Sequence, residues 1–259
     1  MPPNIEHHLF EAKQVENIAI IRFKKNLIRQ LTDLNLKEGL FKYLHEVSDE
    51  KSIKVVLCIG NPEKLQQAEA IKYLSSLSRT HEGLTNISRI FNAIDQLVLL
   101  IRSMNKFVVH ADSGKIFSFF MNIGFACDYR IISNQTVFYY PLLDLGLIPK
   151  GGGVYFLSQI VGTNKAMEML LSGNEIDAKK ALGLGLVNKV VSSEMFYDNS
   201  IKIAKNIANK PFSLITGIKK LANLSSGNLA ELLDVENHIL IESFQSGSFK
   251  RRLGVYRGL

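Results

Sequence analysis

Six histidines (7, 8, 45, 81, 110 and 238) and two cysteines (58 and 127) are the side chains best suited to nucleophilic, acid–base or metal chemistry, and they are scattered along the chain. Two thiols exclude a disulfide scaffold and a four-thiolate zinc site. The sequence holds no HExxH pair and no GxSxG elbow. Gly151-Gly152-Gly153 follow Lys150, whereas in a phosphate-binding loop the glycines precede the lysine. His110, Asp112 and Ser113 have the residue types of a nucleophilic triad. They fall at the end of an apolar run, and neighbours on a strand point to opposite faces, so the local order argues against a triad. A lone histidine beside Val108 and Val109 is more often a satisfied core residue than a base.

The elements that must position any site follow from periodicity. Short β-branched runs predict strands at 17–23, 54–59, 106–111, 129–133, 137–140 and 186–191. Apolar residues at helical spacing predict helices at 35–45, 66–77, 83–104, 118–126, 154–161 and 165–171. The 165–171 helix has Thr163 or Asn164 as its cap, and a further helix is capped by Asp177. From residue 193 onward the pattern is helical only, at about 193–208, 211–225 and 229–245. Strands alternating with helices and then helices alone predict an α/β body over 1–192 and a helical region over 193–259.

Composition narrows the function classes. The chain has 259 residues, 46% of them hydrophobic, enough for a sizeable core and too apolar for a disordered chain. The net charge of +7 favours an anionic partner without naming it. No zinc-finger spacing or aromatic ribonucleoprotein motif is present, and nucleic acid is not the expected partner. The longest apolar candidate span, 97–109, is broken by Arg102, Asn105 and Lys106, so no membrane span is expected. The first residues lack a basic segment followed by an apolar one, which gives a cytoplasmic location as the expectation.

Residues 106–191 carry a more specific signal. Ser113-Gly114, Cys127-Asp128-Tyr129-Arg130-Ile131 and Phe138-Tyr139-Tyr140-Pro141 lead into Leu145-Gly146-Leu147-Ile148-Pro149 and Gly152-Gly153. Leu170-Leu171-Ser172-Gly173, Ile176-Asp177-Ala178 and Gly185-Leu186-Val187-Asn188-Lys189-Val190-Val191 follow in order. This series resembles the crotonase (enoyl-CoA hydratase/isomerase) superfamily. The resemblance implies a spiral of ββα units with C-terminal helices that build a homotrimer or a dimer of trimers. It implies an acyl-CoA as substrate or ligand, without a separate cofactor or metal.

In that superfamily two backbone N–H groups form an oxyanion hole for the thioester carbonyl and stabilise an enolate. By correspondence the donors fall on Glu69, within 65–70, and on Phe119, within Ser118-Phe119-Phe120. Glycines are usual at the second stretch, and two phenylalanines there would narrow the pocket. The two glutamates that a hydratase uses to activate water and deliver a proton correspond to Asn122 and Leu142, neither of which exchanges protons. Ordinary two-glutamate hydration is therefore not expected. Asp144, two residues past Leu142, is the best available acid/base, with Asn122 and Tyr140 as further catalytic candidates and Tyr139 beside them. Lys210, Lys219 and the basic run 250–252 are candidates for CoA phosphates. Two readings follow: a lyase or isomerase of altered specificity, or a catalytically silent member that binds acyl-CoA or pairs with an active paralogue.

Overall fold

The computed structural model describes residues 4–24, 27–60, 67–224 and 227–255. The chain opens with an antiparallel edge, in which β1 (Ile5–Glu6) pairs with β2 (Phe10–Val15) and β2 with β3 (Ile18–Phe23). Glu16, at φ 53°, supplies the left-handed residue that a two-residue hairpin turn needs. From β3 the sheet runs parallel. α1 (Leu27–Gln30) and α2 (Leu34–Asp49) lead to β4 (Val55–Ile59), and α3 (Gln67–Leu77) and α4 (His81–Ser103) lead to β5 (Phe107–Asp112). β6 (Lys115–Phe117) and α5 (Ser118–Ala126) lead to β7 (Tyr129–Ser133). Then come β8 (Val137–Tyr139), α6 (Gly153–Val161), α7 (Thr163–Ser172), β9 (Ile176–Asp177), α8 (Ala178–Gly183) and β10 (Lys189–Val191). Four helices close the chain: α9 (Phe196–Ala208), α10 (Phe212–Leu224), α11 (Leu229–Gln245) and α12 (Gly247–Val255).

Seven strands form one sheet in the order β1-β2-β3-β4-β5-β7-β10, and β6, β8 and β9 form a smaller one. This is the α/β class with C-terminal helices that the periodicity predicts. The central strands are apolar on both faces, as parallel strands covered on both sides must be. Val56, Cys58 and Val108 face the main core with α4 and α5, whereas Ile20, Leu57, Val109 and Ile131 face Ala204 and Ala208 of α9.

Several short elements escape the sequence reading. β1, β2, β6 and β9 are two to six residues long, and β2 mixes charged and apolar residues beside the two-residue edge strand β1. α12 contains the basic run Lys250-Arg251-Arg252, so its periodicity is weak. The cap of α7 also differs from expectation. Gly162, at φ 80°, precedes the helix and no side chain caps it. Asp177 does cap α8, accepting from Lys180 N–H at 2.7 Å.

α4 is the one described helix long and apolar enough to cross a membrane, and its apolar face lies in the core, on Ile87, Ile90, Phe91, Ile94 and Val98. α10 is tied down differently. Lys219 Nζ donates to the carbonyls of Ile101 (2.8 Å) and Lys106 (2.9 Å) and pairs with Asp128 Oδ2 at 2.9 Å. Asp128 also accepts from Val108 N–H at 2.7 Å. One buried ammonium thus joins the end of α4, the start of β5 and the end of α5. It is spent on the fold and is not available for CoA phosphates, contrary to the sequence expectation.

Removing one member of a buried ion pair strands the other charge, at about 3–5 kcal/mol. Lys219→Ala is therefore expected to lower unfolding free energy by about that amount, read from the urea midpoint, while the exposed Lys220→Ala leaves it within about 0.5 kcal/mol.

Candidate active site

The parallel strands β4 and β5 end side by side, with Gly60 N–H donating to Ala111 O at 2.9 Å. β6 runs into Ser118 of α5 without a loop, and Phe120 of α5 lines the same cavity as Gly60, His110 and Asp112. Between these strand ends, α5 and α4 lies a narrow cavity. Gly60, His110, Asp112 and Phe120 line it at one end, and Val56, Leu97, Ile101, Met104 and Val108 line the remainder. Its free volume is about 30 Å³, close to the share of one water in the liquid.

The start of α5 is chemically distinctive. Phe117 occupies the cap position, and no side chain caps the helix. First-turn N–H groups have no acceptor within a helix and sit at the positive end of its dipole. Phe119 belongs to that turn. Its side chain is buried against Phe117, with ring centroids 4.9 Å apart and an edge-to-face angle of 74°. Only Phe120 of the two phenylalanines enters the cavity wall. The expected narrowing thus comes from one ring. Glu69 lies in the first turn of α3, the helix that follows the central strand β4. The 65–70 stretch that carries it begins outside the described residues.

The side chains expected to carry acid–base chemistry are not in the cavity wall. Asp144 is exposed, and its own carbonyl accepts from Arg252 Nη1 at 3.2 Å. It sits on a turn between Leu143 and Leu145, both of which point inward, and this sends its carboxylate to solvent. Asn122 is fully buried on the side of α5 facing α6, where Nδ2 donates to Lys150 O at 2.8 Å. Its role is to hold the 149–153 loop. A Cβ on Gly153 would stand 2.7 Å from Pro149 Cβ and overlap the Asn122 amide, so glycine is required at this contact. Tyr140 is buried in the core, and its hydroxyl meets no hydrogen-bond partner among the described residues. Burial pushes that phenol well above its ordinary range, so it does not act as a base near neutral pH. Leu142 is buried.

The loop beside Asn122 is clamped by charge. Lys150 is fully buried and pairs with Asp95 of α4 and with Glu236 of α11, the latter at 3.0 Å. Glu236 also accepts from Gly151 N–H (2.7 Å) and Gly152 N–H (3.2 Å). Burial pushes both carboxyls upward, and the Lys150 ammonium opposes that push. Asn237 Nδ2 completes the cluster on Asp95 at 2.7 Å.

His110 and Asp112 are the functional-type residues that sequence order hides. Asp112 ends β5, and Ser113 follows it outside the strand. The two-residue period puts 110 and 112 on one face, and there their side chains meet. Cys58, the register partner of His110, lines the cavity too. Among the described residues no group of three or more His, Cys, Asp or Glu could hold a metal ion.

The chain is similar to known proteins over nearly its whole length. The enoyl-CoA hydratase/isomerase family model matches residues 13–257. A crotonyl-CoA hydratase of Syntrophomonas wolfei is 29% identical over 214 residues, 80% of this chain and 78% of that protein. A carnitinyl-CoA dehydratase of Escherichia coli K12 is 24% identical over 225 residues, 85% of this chain and 80% of that protein. Among solved structures, an enoyl-CoA hydratase from Bacillus halodurans superposes with a TM-score of 0.82 at 20% identity, covering 96% of this chain and 100% of that one. A methylmalonyl-CoA decarboxylase complexed with 2-nitronate-propionyl-CoA gives 0.72 at 16% identity, over 96% and 95% of the two chains.

Burial pushes the Cys58 thiol up to about 12 and the Cys127 thiol well above its usual value. A raised thiol pKa means almost no thiolate at pH 8, and thiolate is the reactive form. Neither thiol of the native protein is therefore expected to react with a disulfide reagent at pH 8, whereas both react in urea. A thiol that titrates in the native protein would show the cavity wall to be open.

Proposed function

Because the chain belongs to the enoyl-CoA hydratase/isomerase family, we propose that it binds an acyl-CoA and polarises the thioester carbonyl with the backbone N–H groups of Phe119 and Glu69. The observation that carries this reading is the uncapped start of α5 beside the cavity that also receives the end of β4. Fixed amide dipoles aimed at developing negative charge, away from water, are an effective means of stabilising an enolate. The bound acyl-CoA is the substrate, and no further cofactor enters.

The reaction is an isomerase- or lyase-type proton transfer rather than two-glutamate hydration. Support for this comes from Asn122, whose amide is committed to the Lys150 carbonyl, and from Leu142, which has no exchangeable proton. Specificity is thereby altered from that of a two-glutamate hydratase. The narrow cavity favours a second reading. Small-molecule pockets usually span about 300–1,000 Å³, against about 30 Å³ of free space here. Of the two forms of that reading, a silent member that holds acyl-CoA without turnover or one that pairs with an active paralogue, the small cavity favours the second, which needs no ligand space.

The protein is proposed to be cytoplasmic and to assemble as a trimer or a dimer of trimers. Support for assembly comes from α10, where Leu214, Ile218, Leu221 and Leu224 are exposed on one stripe. Light scattering is expected to give a multiple of three chains, and Ile218→Glu combined with Leu221→Glu to give single chains.

Calorimetry with butyryl-CoA is expected to show saturable binding, and the absorbance of crotonyl-CoA is expected to fall no faster than in buffer. Absence of binding would overturn the acyl-CoA reading. Hydration at rates of about 1–10³ s⁻¹, typical of enzymes, would overturn the departure from two-glutamate chemistry.

A further inference from the structure

A second cavity lies at the other end of β5. Phe107, the first residue of that strand, lines it, whereas Asp112, the last, lines the cavity described above. Five residue steps along a strand separate the two by ~16 Å. The ends of α4 and α5 meet α6 and α10 around this groove, whose free volume is about 310 Å³. Small-molecule sites usually span about 300–1,000 Å³. Cys127 belongs to the walls of both cavities.

Charge in the groove does not balance. Its wall holds three cations, Arg102, Arg130 and Lys219, and one carboxylate, Asp128. Lys219 Nζ is taken up by Asp128 and by the carbonyls of Ile101 and Lys106. α4 and α5 both end here, and a helix C-terminus supplies about half a negative charge. About one positive charge is left over by that count.

The two guanidiniums are held in place. Arg130 Nε donates to Leu186 O at 2.7 Å and Nη1 to Cys127 O at 2.9 Å, while Nη2 meets no acceptor among the described residues. Arg102 lies over the Phe156 ring, with its guanidinium carbon 5.9 Å from the centroid. Burial holds the Arg130 guanidinium below its usual range. Arg102 adds to that push, and Asp128 opposes it. Like charges set near one another and partly out of water cost free energy, which a bound anion relieves.

We propose that this groove is a second ligand site, which binds the phosphate group of a small molecule between Arg102 and Arg130. A guanidinium fork matches phosphate oxygens two at a time. A phosphate monoester carries about −1.5 to −2 charges at pH 7, enough to neutralise the excess. Tyr155 and Phe107, both half-buried in the same wall, give a ring attached to the phosphate an aromatic surface to lie against. Free phosphate uses the guanidiniums alone. The site is remote from the proposed oxyanion donors, and it stands whether or not the chain binds acyl-CoA. Ile218, from the exposed stripe of α10, shares this wall, so the native assembly is the state to test.

The test is calorimetry on the full chain at pH 7.5 with phenyl phosphate, inorganic phosphate and phenol. Phenyl phosphate is expected to bind saturably, one per chain, and phenol not to bind. Weaker binding of inorganic phosphate identifies an organic phosphate as the ligand, and equal binding identifies free phosphate. Arg102→Gln is expected to weaken phenyl phosphate binding at least about tenfold, the usual worth of a hydrogen bond to a charged group. Lys179→Gln, at an exposed position on α8, is expected to leave it unchanged.

Absence of saturable binding, or unchanged affinity in Arg102→Gln, overturns the proposal. Equal loss in Arg102→Gln and Lys179→Gln overturns it too, because net charge alone would then be at work. Displacement of phenyl phosphate by butyryl-pantetheine, a thioester without phosphates, would put the anion in the other cavity and have the same result. Should Arg102→Gln fail to fold, hydrogen exchange of wild type decides. Phenyl phosphate is expected to slow amide exchange in residues 127–130 and 218–223, and slowing confined to other segments overturns the assignment.

Discussion

A single ammonium with no exposure to solvent organises the region around the cavity. Lys150 has left water entirely, and a charge moved into a protein interior must be met by opposite charge in good geometry. Asp95 arrives from α4 and Glu236 from α11, elements separated by more than a hundred residues of sequence. Glu236 then spends its remaining capacity on Gly151 and Gly152 N–H, so one carboxylate neutralises the lysine and caps the turn that starts α6. Asn122 grips the same loop from α5 through the Lys150 carbonyl. Four elements are thereby fixed around one polar knot.

That knot accounts for the fate of the acid–base position on α5. A side chain drawn toward Lys150 O cannot also serve the cavity on the other side of the helix. The polar side chains of the cavity wall stand instead on β5, where His110 and Asp112 fill gaps left by Gly124 and Gly60. Lys219 plays a comparable part elsewhere, fastening α10 to the carbonyls of Ile101 on α4 and Lys106 before β5. Two buried lysines thus fasten helices and loops through fixed partners, and neither is free to meet a ligand.

Much of the fold is legible in the sequence because its central strands and long helices obey single periods. Residues 54–59 are apolar throughout, as β4 requires, and the apolar stripe from Leu84 to Ile101 marks α4. Short edge elements such as β2 and β9 lack such a run, since partner strands rather than composition hold them. The site is less legible. Backbone donors are carried by chain geometry, and Phe119 keeps a helix-start N–H whatever its side chain. Asp144 shows the opposite difficulty. It lies two residues past Leu142, the position that corresponds to a site residue, and the inward turn of Leu143 and Leu145 directs it to solvent. The His110–Asp112 pair needs two facts at once, strand period and the gaps opposite, and only the first is written locally.

The reach of Glu236 has a temporal side. During synthesis the loop at 149–153, α4 and α5 leave the ribosome long before α11 does. Until residue 236 emerges, Lys150 has half its counter-charge, and the Gly151 and Gly152 amides lack their acceptor. The nascent chain therefore carries an unlatched 149–153 loop through most of its translation, and the last tenth of the polypeptide is what locks it.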